Sequence, residues 1–217
     1  MPNGPLSLPA RLCLLAWDLD PTRAAPVVRA GALADLARRG LLVDDDGIAT
    51  PRDLDSRTGD PALDGLLELV SESFPHGWRT WVTLHARYTL DAVREHLVAE
   101  GVLRAEKHRV LGVFPSVDHV LADTARADAL RTEAHQVLSG ATRPDETTAT
   151  ALTLAVAADL PATATGTPPA ASTDPGFAAV LHELETALPR RPRGRPSWSS
   201  TRRTWSSATA TRCCRCS

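Results

Sequence analysis

The sequence predicts a mainly α fold, a single compact helical domain with short β-hairpins. Three observations carry this. Apolar residues recur at helical spacing in successive stretches between Leu12 and Leu188, and the stretches are separated by proline, glycine and aspartate. Twice a helix-length run ends at a glycine, Gly40 and Gly101, and is followed by short apolar segments flanking polar turn residues. Composition, 43% apolar and 23% charged over 217 residues, suits one globular core plus a tail.

Taken in order, Pro5–Asp20 places Leu12, Leu15, Ala16 and Leu19 on one helical face, with Pro9 tolerable in the first turn. Ala24–Gly40 follows as an alanine-rich helix. Its stripe of Ala25, Val28, Ala32 and Leu36 also admits Arg29, and its small residues invite close approach by another helix. Leu41–Val43 and Ile48–Thr50 then predict a hairpin around Asp44–Gly47. Asp60 caps a helix from Pro61 through Leu63, Leu66, Leu67 and Val70. Trp78 and Trp81, three apart, read as packing residues. Thr89 is the expected cap of a helix through Ala99, with Leu90, Val93 and Leu97 inward. A second hairpin is expected from Val102–Ala105 and Arg109–Phe114, then helices over Val120–Ser139, Thr147–Leu160 and Phe177–Leu188.

Charge divides the chain. From Pro189 onward there are eight arginines and no acid, which leaves 16 basic against 26 acidic residues before it. An acidic body disfavours nonspecific nucleic-acid binding and requires a local basic patch to approach an anionic surface. The stretch 189–217 reads either as a basic membrane or nucleic-acid arm or as an out-of-frame translation of GC-rich coding. The chain opens with no basic leader and long apolar run, so a cytoplasmic protein is expected, with Cys13 a core thiol.

Phosphate-loop, dinucleotide, nucleophile-elbow and HExxH motifs are absent from the sequence, and the seven histidines form no local ligand set. No enzyme, cofactor or metal is expected. Arginine is the better recognition signal, since guanidinium forks hold phosphate and carboxylate. By spacing, Arg29, Arg87 and Arg94 either pair with acids across the body or converge on an anion through the fold.

The segments VRAGALADLARRGLLVDDDGI, ARLCLLAWDLD, DPALDGLLELV, WRTWVTL and REHLVAEGVLRAEKHRVLGVF, in their order, resemble the Golgi phosphoprotein 3 family, including its actinobacterial-type homologues. The resemblance covers about residues 5–188 and implies a helical domain over 1–188. It implies peripheral attachment to the cytosolic face of a membrane and binding of phosphatidylinositol 4-phosphate or a similar anionic headgroup. Protein tails and self-association are further implied partners. On this basis Arg29 and Arg87 match headgroup-binding arginines. The family's tryptophan and second paired arginine would fall near Asp20 and Leu90, where neither residue type stands, and Arg23 and Arg94 are the available substitutes. The matching hairpin offers Val110, Leu111, Val113 and Phe114 for membrane or self contact. Two other functions are open to the same sequence. Two helix-plus-hairpin units suggest a winged-helix-like DNA-binding regulator, although no specific nucleic acid is expected of an acidic body, and a protein-interaction scaffold without lipid binding needs only the fold.

Overall fold

The small residues of Ala24–Ala37 determine what lies at the centre. The computed structural model of the protein describes residues 5–53, 55–110, 114–163 and 175–187. The chain runs α1 (Leu8–Leu15), α2 (Pro21–Arg38), a hairpin of β1 (Leu42–Asp45) and β2 (Ile48–Pro51), α3 (Pro61–Glu72), α4 (Trp78–Thr83) and α5 (Ala86–Ala99). A second hairpin, β3 (Leu103–Val110) and β4 (Phe114–Leu121), leads to α6 (Thr124–Leu138), α7 (Glu146–Ala157), a 3-10 turn at Pro161–Thr163 and α8 (Pro175–Ala187). Helix α2 is buried from Ala24 to Ala37 except at half-buried Pro26, and it packs against α1, α3, α4, α5, α7 and α8. Alanine and glycine let the neighbours come close. A Cβ built on Gly31 would overlap Leu12 Cδ1 of α1, so a side chain at this crossing requires Leu12 to move.

Helix ends follow local chemistry. The Asp20 carboxylate accepts the Thr22 N–H at 2.8 Å and Pro21 opens α2. At the other end the Leu41 N–H donates to Leu36 O and the Gly40 N–H to Ala37 O, with Gly40 at φ 67°. This paired closure needs a left-handed residue, which glycine supplies without strain. Gly101 repeats it after α5, where the Val102 N–H reaches Leu97 O. As expected, Asp60 accepts the Ala62 and Leu63 N–H groups at the start of α3, and Leu63, Leu66, Leu67 and Val70 are buried. Trp78 and Trp81 are core residues.

Three boundaries differ from expectation. β1 continues through Asp45, and the turn is only Asp46–Gly47, both at positive φ, which matches the twist of a two-residue hairpin. Asp44 therefore stands in the strand, where its carboxylate accepts the Trp78 indole N–H at 2.6 Å. Helix α5 begins at Ala86 instead of being capped by Thr89, because the chain reverses at His85, φ 53°, and Thr89 is buried within the helix. The second hairpin is longer than expected. Glu106, Lys107 and His108 lie within β3, paired with Asp118, Val117 and Ser116, and α6 starts only after the Asp123 cap. Its polar strand residues carry no clean two-residue period, which is why they read as a turn.

Candidate functional site

A cleft of about 820 Å³ opens between the α1–α2 connection, α5 and the β3–β4 hairpin. Each element contributes through its own periodicity. Positions 87, 91, 94, 95 and 98 recur every three or four residues, so Arg87, Asp91, Arg94, Glu95 and Val98 line one side of α5. On the hairpin Ala105 pairs with His119 and Lys107 with Val117, and all four point to the same face. Trp17, Leu19 and Pro21 close the third side.

Arg94 is the most constrained of the cations. Its guanidinium lies over the Trp17 ring, 5.8 Å from the centroid, and its Nε is enclosed without an acceptor among the described residues. Burial pushes the Cys13 thiol behind it up to about 11, against the opposing charge of Arg94. Arg87 is exposed and its Nε donates to Asp91 at 3.0 and 3.2 Å. Such an exposed pair holds a guanidinium in place weakly, at about 0.2–1 kcal/mol, so an incoming anion can replace the carboxylate. His119 is half-buried. Burial is the main cause holding its imidazole below the ordinary value, and Arg94 adds to it, while Asp91, Glu95 and Asp118 pull the other way.

Of the three arginines expected together, Arg87 and Arg94 share the cleft and Arg29 does not line it. Arg29 is wholly buried in α2, and its Nη2 donates to the carbonyls of Leu84 (3.0 Å) and His85 (2.7 Å). Its Nε and Nη1 have no acceptor among the described residues, and desolvation pushes its pKa down to about 10. Those two carbonyls belong to the α4–α5 junction immediately before Arg87. Arg29 thus fixes the start of the helix that carries the cleft arginines. Arg23 of α2 is not among the cleft residues. Trp17 went unrecognised because it stands three residues before the position where the resemblance places a tryptophan. It reaches the cleft through the bend after α1, where its N–H donates to Leu14 O at 3.4 Å.

The hairpin candidates lie at its tip. Val110 and Phe114 form the last described rung of β3–β4, whereas Leu111 and Val113 fall outside the described residues. Helix α2, the first candidate recognition helix for DNA, is buried from Ala24 to Ala37 except at Pro26, so its long middle section is not open to lie in a groove. Among the described residues no group of three or more His, Cys, Asp or Glu could hold a metal ion. No helix among them is long and apolar enough to cross a membrane.

A helical body around a buried α2, with two small hairpins, defines one particular architecture. The family model described as Golgi phosphoprotein 3 (GPP34) matches residues 8–195, and the chain belongs to that family. No curated protein matches the chain at significant similarity.

Proposed function

We propose that the protein is a peripheral membrane protein that binds a phosphoinositide-like headgroup of an anionic phospholipid in the α5–hairpin cleft. The observation carrying this is the convergence of Arg87, Arg94 and Lys107 with the Trp17 ring in one open cavity. Arginine forks pair with phosphate oxygens in two-pronged hydrogen bonds, and Lys107 adds a mobile point charge. Asp91, Glu95 and Asp118 line the same space. A bare phosphate gains nothing from them, but the hydroxyls of a polyol ring can donate to carboxylates. The mixture therefore suits a phosphate joined to a hydroxylated group. Arg29 enters as a positioning residue, holding the carbonyls that precede Arg87.

The test is co-sedimentation of the full chain with phosphatidylcholine vesicles, with and without phosphatidylinositol 4-phosphate. Sedimentation is expected only with the anionic lipid and is expected to weaken with salt. Replacing Arg87 and Arg94 together by glutamine removes two charge-assisted contacts, each worth about 1.5–3 kcal/mol, so binding should fall at least tenfold. Unchanged sedimentation of that variant would overturn the proposal.

A further inference from the structure

Arg87, Arg94 and Lys107 meet Asp91 and Glu95 in the cleft, with Asp118 at its rim, and among the described lining residues His119 is the one of a type that ordinarily titrates near neutral pH. The surroundings of His119 are specific. From α5 it is faced by Asp91, Arg94 and Glu95, with Arg87 further along the same side. From β3 comes Lys107, and on its own strand stands Asp118, whose carboxylate is also 3.4 Å from Nδ1 of His108. The α1–α2 side supplies only Trp17, Leu19 and Pro21, with Asp20 beside Arg87 at its edge. Half-buried beside Arg94, the imidazole is held below its ordinary value, mainly by burial. An anion seated between Arg94 and His119 would reverse that preference, because a negative charge a few ångströms away favours the imidazolium.

The geometry points to His119 as a proton-coupled ligand of the cleft: the anion enters together with one proton taken up by this imidazole, so acidification tightens binding. This deepens, and rests on, the reading of the cleft as a phosphate-binding site. The chemistry balances simply. One proton from solvent adds to the imidazole, the cleft gains one positive charge, and the bound anion is neutralised to that extent. No covalent bond to the ligand is made or broken.

The experiment uses inorganic sulfate as the probe, because its charge is constant across the range where histidine titrates. Calorimetric titration of the full chain between about pH 7.5 and 5.5 should show affinity rising toward tenfold per pH unit, the limit for one proton. Repeating it in buffers of different ionisation enthalpy should show proton uptake. The NMR titration midpoint of the His119 imidazole should move upward when sulfate is added. In His119→Gln, with its helical circular dichroism unchanged, the pH dependence should flatten while binding at the higher pH persists.

The outcomes separate the two claims. Binding that is lost in the Arg87→Gln, Arg94→Gln variant but keeps its full pH dependence in His119→Gln overturns proton coupling alone. So does an unmoved His119 midpoint in the intact protein under saturating sulfate, a measurement that does not depend on the variant folding. Sulfate binding indifferent to Arg87 and Arg94 belongs elsewhere, for instance on the arginines after Pro189, and overturns both the coupling and the cleft reading. Absence of binding at every pH does the same.

Discussion

Helices α2 and α5 both bring arginine to the α4–α5 junction, and they treat it in opposite ways. α2 is surrounded by protein, so Arg29 has no route to solvent and its guanidinium is committed to two backbone carbonyls. α5 buries only one side, through Leu90, Val93 and Leu97, and turns Arg87 and Arg94 into a cleft. The same residue type is a structural clamp in the first case and an available ligand in the second. What decides between them is the share of the helix circumference covered by neighbours, which a residue's identity does not reveal.

Breaking the clamp should have the largest effect on stability. Arg29→Ala removes the side-chain donor to Leu84 O, leaves His85 O with the Tyr88 N–H, and empties a large buried side-chain volume. Both costs are substantial, and together they predict a loss of about 3–5 kcal/mol in denaturant unfolding. Arg29→Lys keeps a cation, but its shorter reach and more strongly hydrated ammonium replace a guanidinium whose Nη2 alone serves both carbonyls, so it should recover only part of that loss. If Arg29→Ala unfolded at the same denaturant concentration as the parent, the contrast between the helices would fail.

The α1–α2 crossing tests the small-residue half of the comparison. Gly31→Ala places a methyl against Leu12, which is itself fully buried and can retreat only by disturbing its neighbours. Overpacking of this kind costs about 1–3 kcal/mol, although alanine gains about 1 kcal/mol of helix propensity over glycine. A net loss is expected in thermal or denaturant unfolding. A stabilised Gly31→Ala protein would show that the crossing is slack.

Much of this architecture was legible in the sequence. The alanine-rich run announced a close-packed helix, Asp60–Pro61 announced the start of α3, and Gly40 and Gly101 marked helix ends. The cleft was only partly legible. Arg87 and Arg94 share a helical face seven residues apart, which spacing reveals, but their meeting with Trp17, Lys107 and His119 depends on how the hairpin folds back over α5. Hairpin length was illegible for a related reason. Glu106, Lys107 and His108 are all exposed, so no alternation of burial distinguishes strand from turn. Arg29 looked like a ligand because the resemblance matched it to one, and its enclosure comes from helices distant in sequence.

Acid sensitivity should come from helix caps instead of either arginine. Asp145 accepts the Thr148 N–H at 2.8 Å at the start of α7, and this bonding with Thr148 lowers its pKa in the folded protein, with Arg11 and Arg38 adding to it. A carboxylate whose folded value lies below its unfolded value of about 3.9 contributes stability that is complete above that pH. The contribution is lost as pH falls through the lower folded value. Asp145→Asn keeps a good cap but cannot titrate, so its stability should depend less on pH below about 4 than the parent's. Parallel acid limbs for the two proteins would assign the sensitivity to other carboxylates.

The smallest expected stability effect belongs to Arg87. Its side chain is 56% exposed, and its pairing with Asp91, itself 43% exposed, is the sort of surface ion pair that contributes about 0–1 kcal/mol. Arg87→Gln should therefore unfold within that margin of the parent while sedimenting less with phosphatidylinositol 4-phosphate vesicles. Arg29→Lys should show the converse order: a clear loss of stability, with vesicle binding reduced only as far as the start of α5 shifts. That crossing of effects is the sharpest form of the comparison, because one variant measured alone cannot separate a clamp from a ligand. If Arg87→Gln lost stability and left vesicle binding intact, Arg87 would serve the fold, and the anion would have to be held by Arg94, Lys107 and His119 without it.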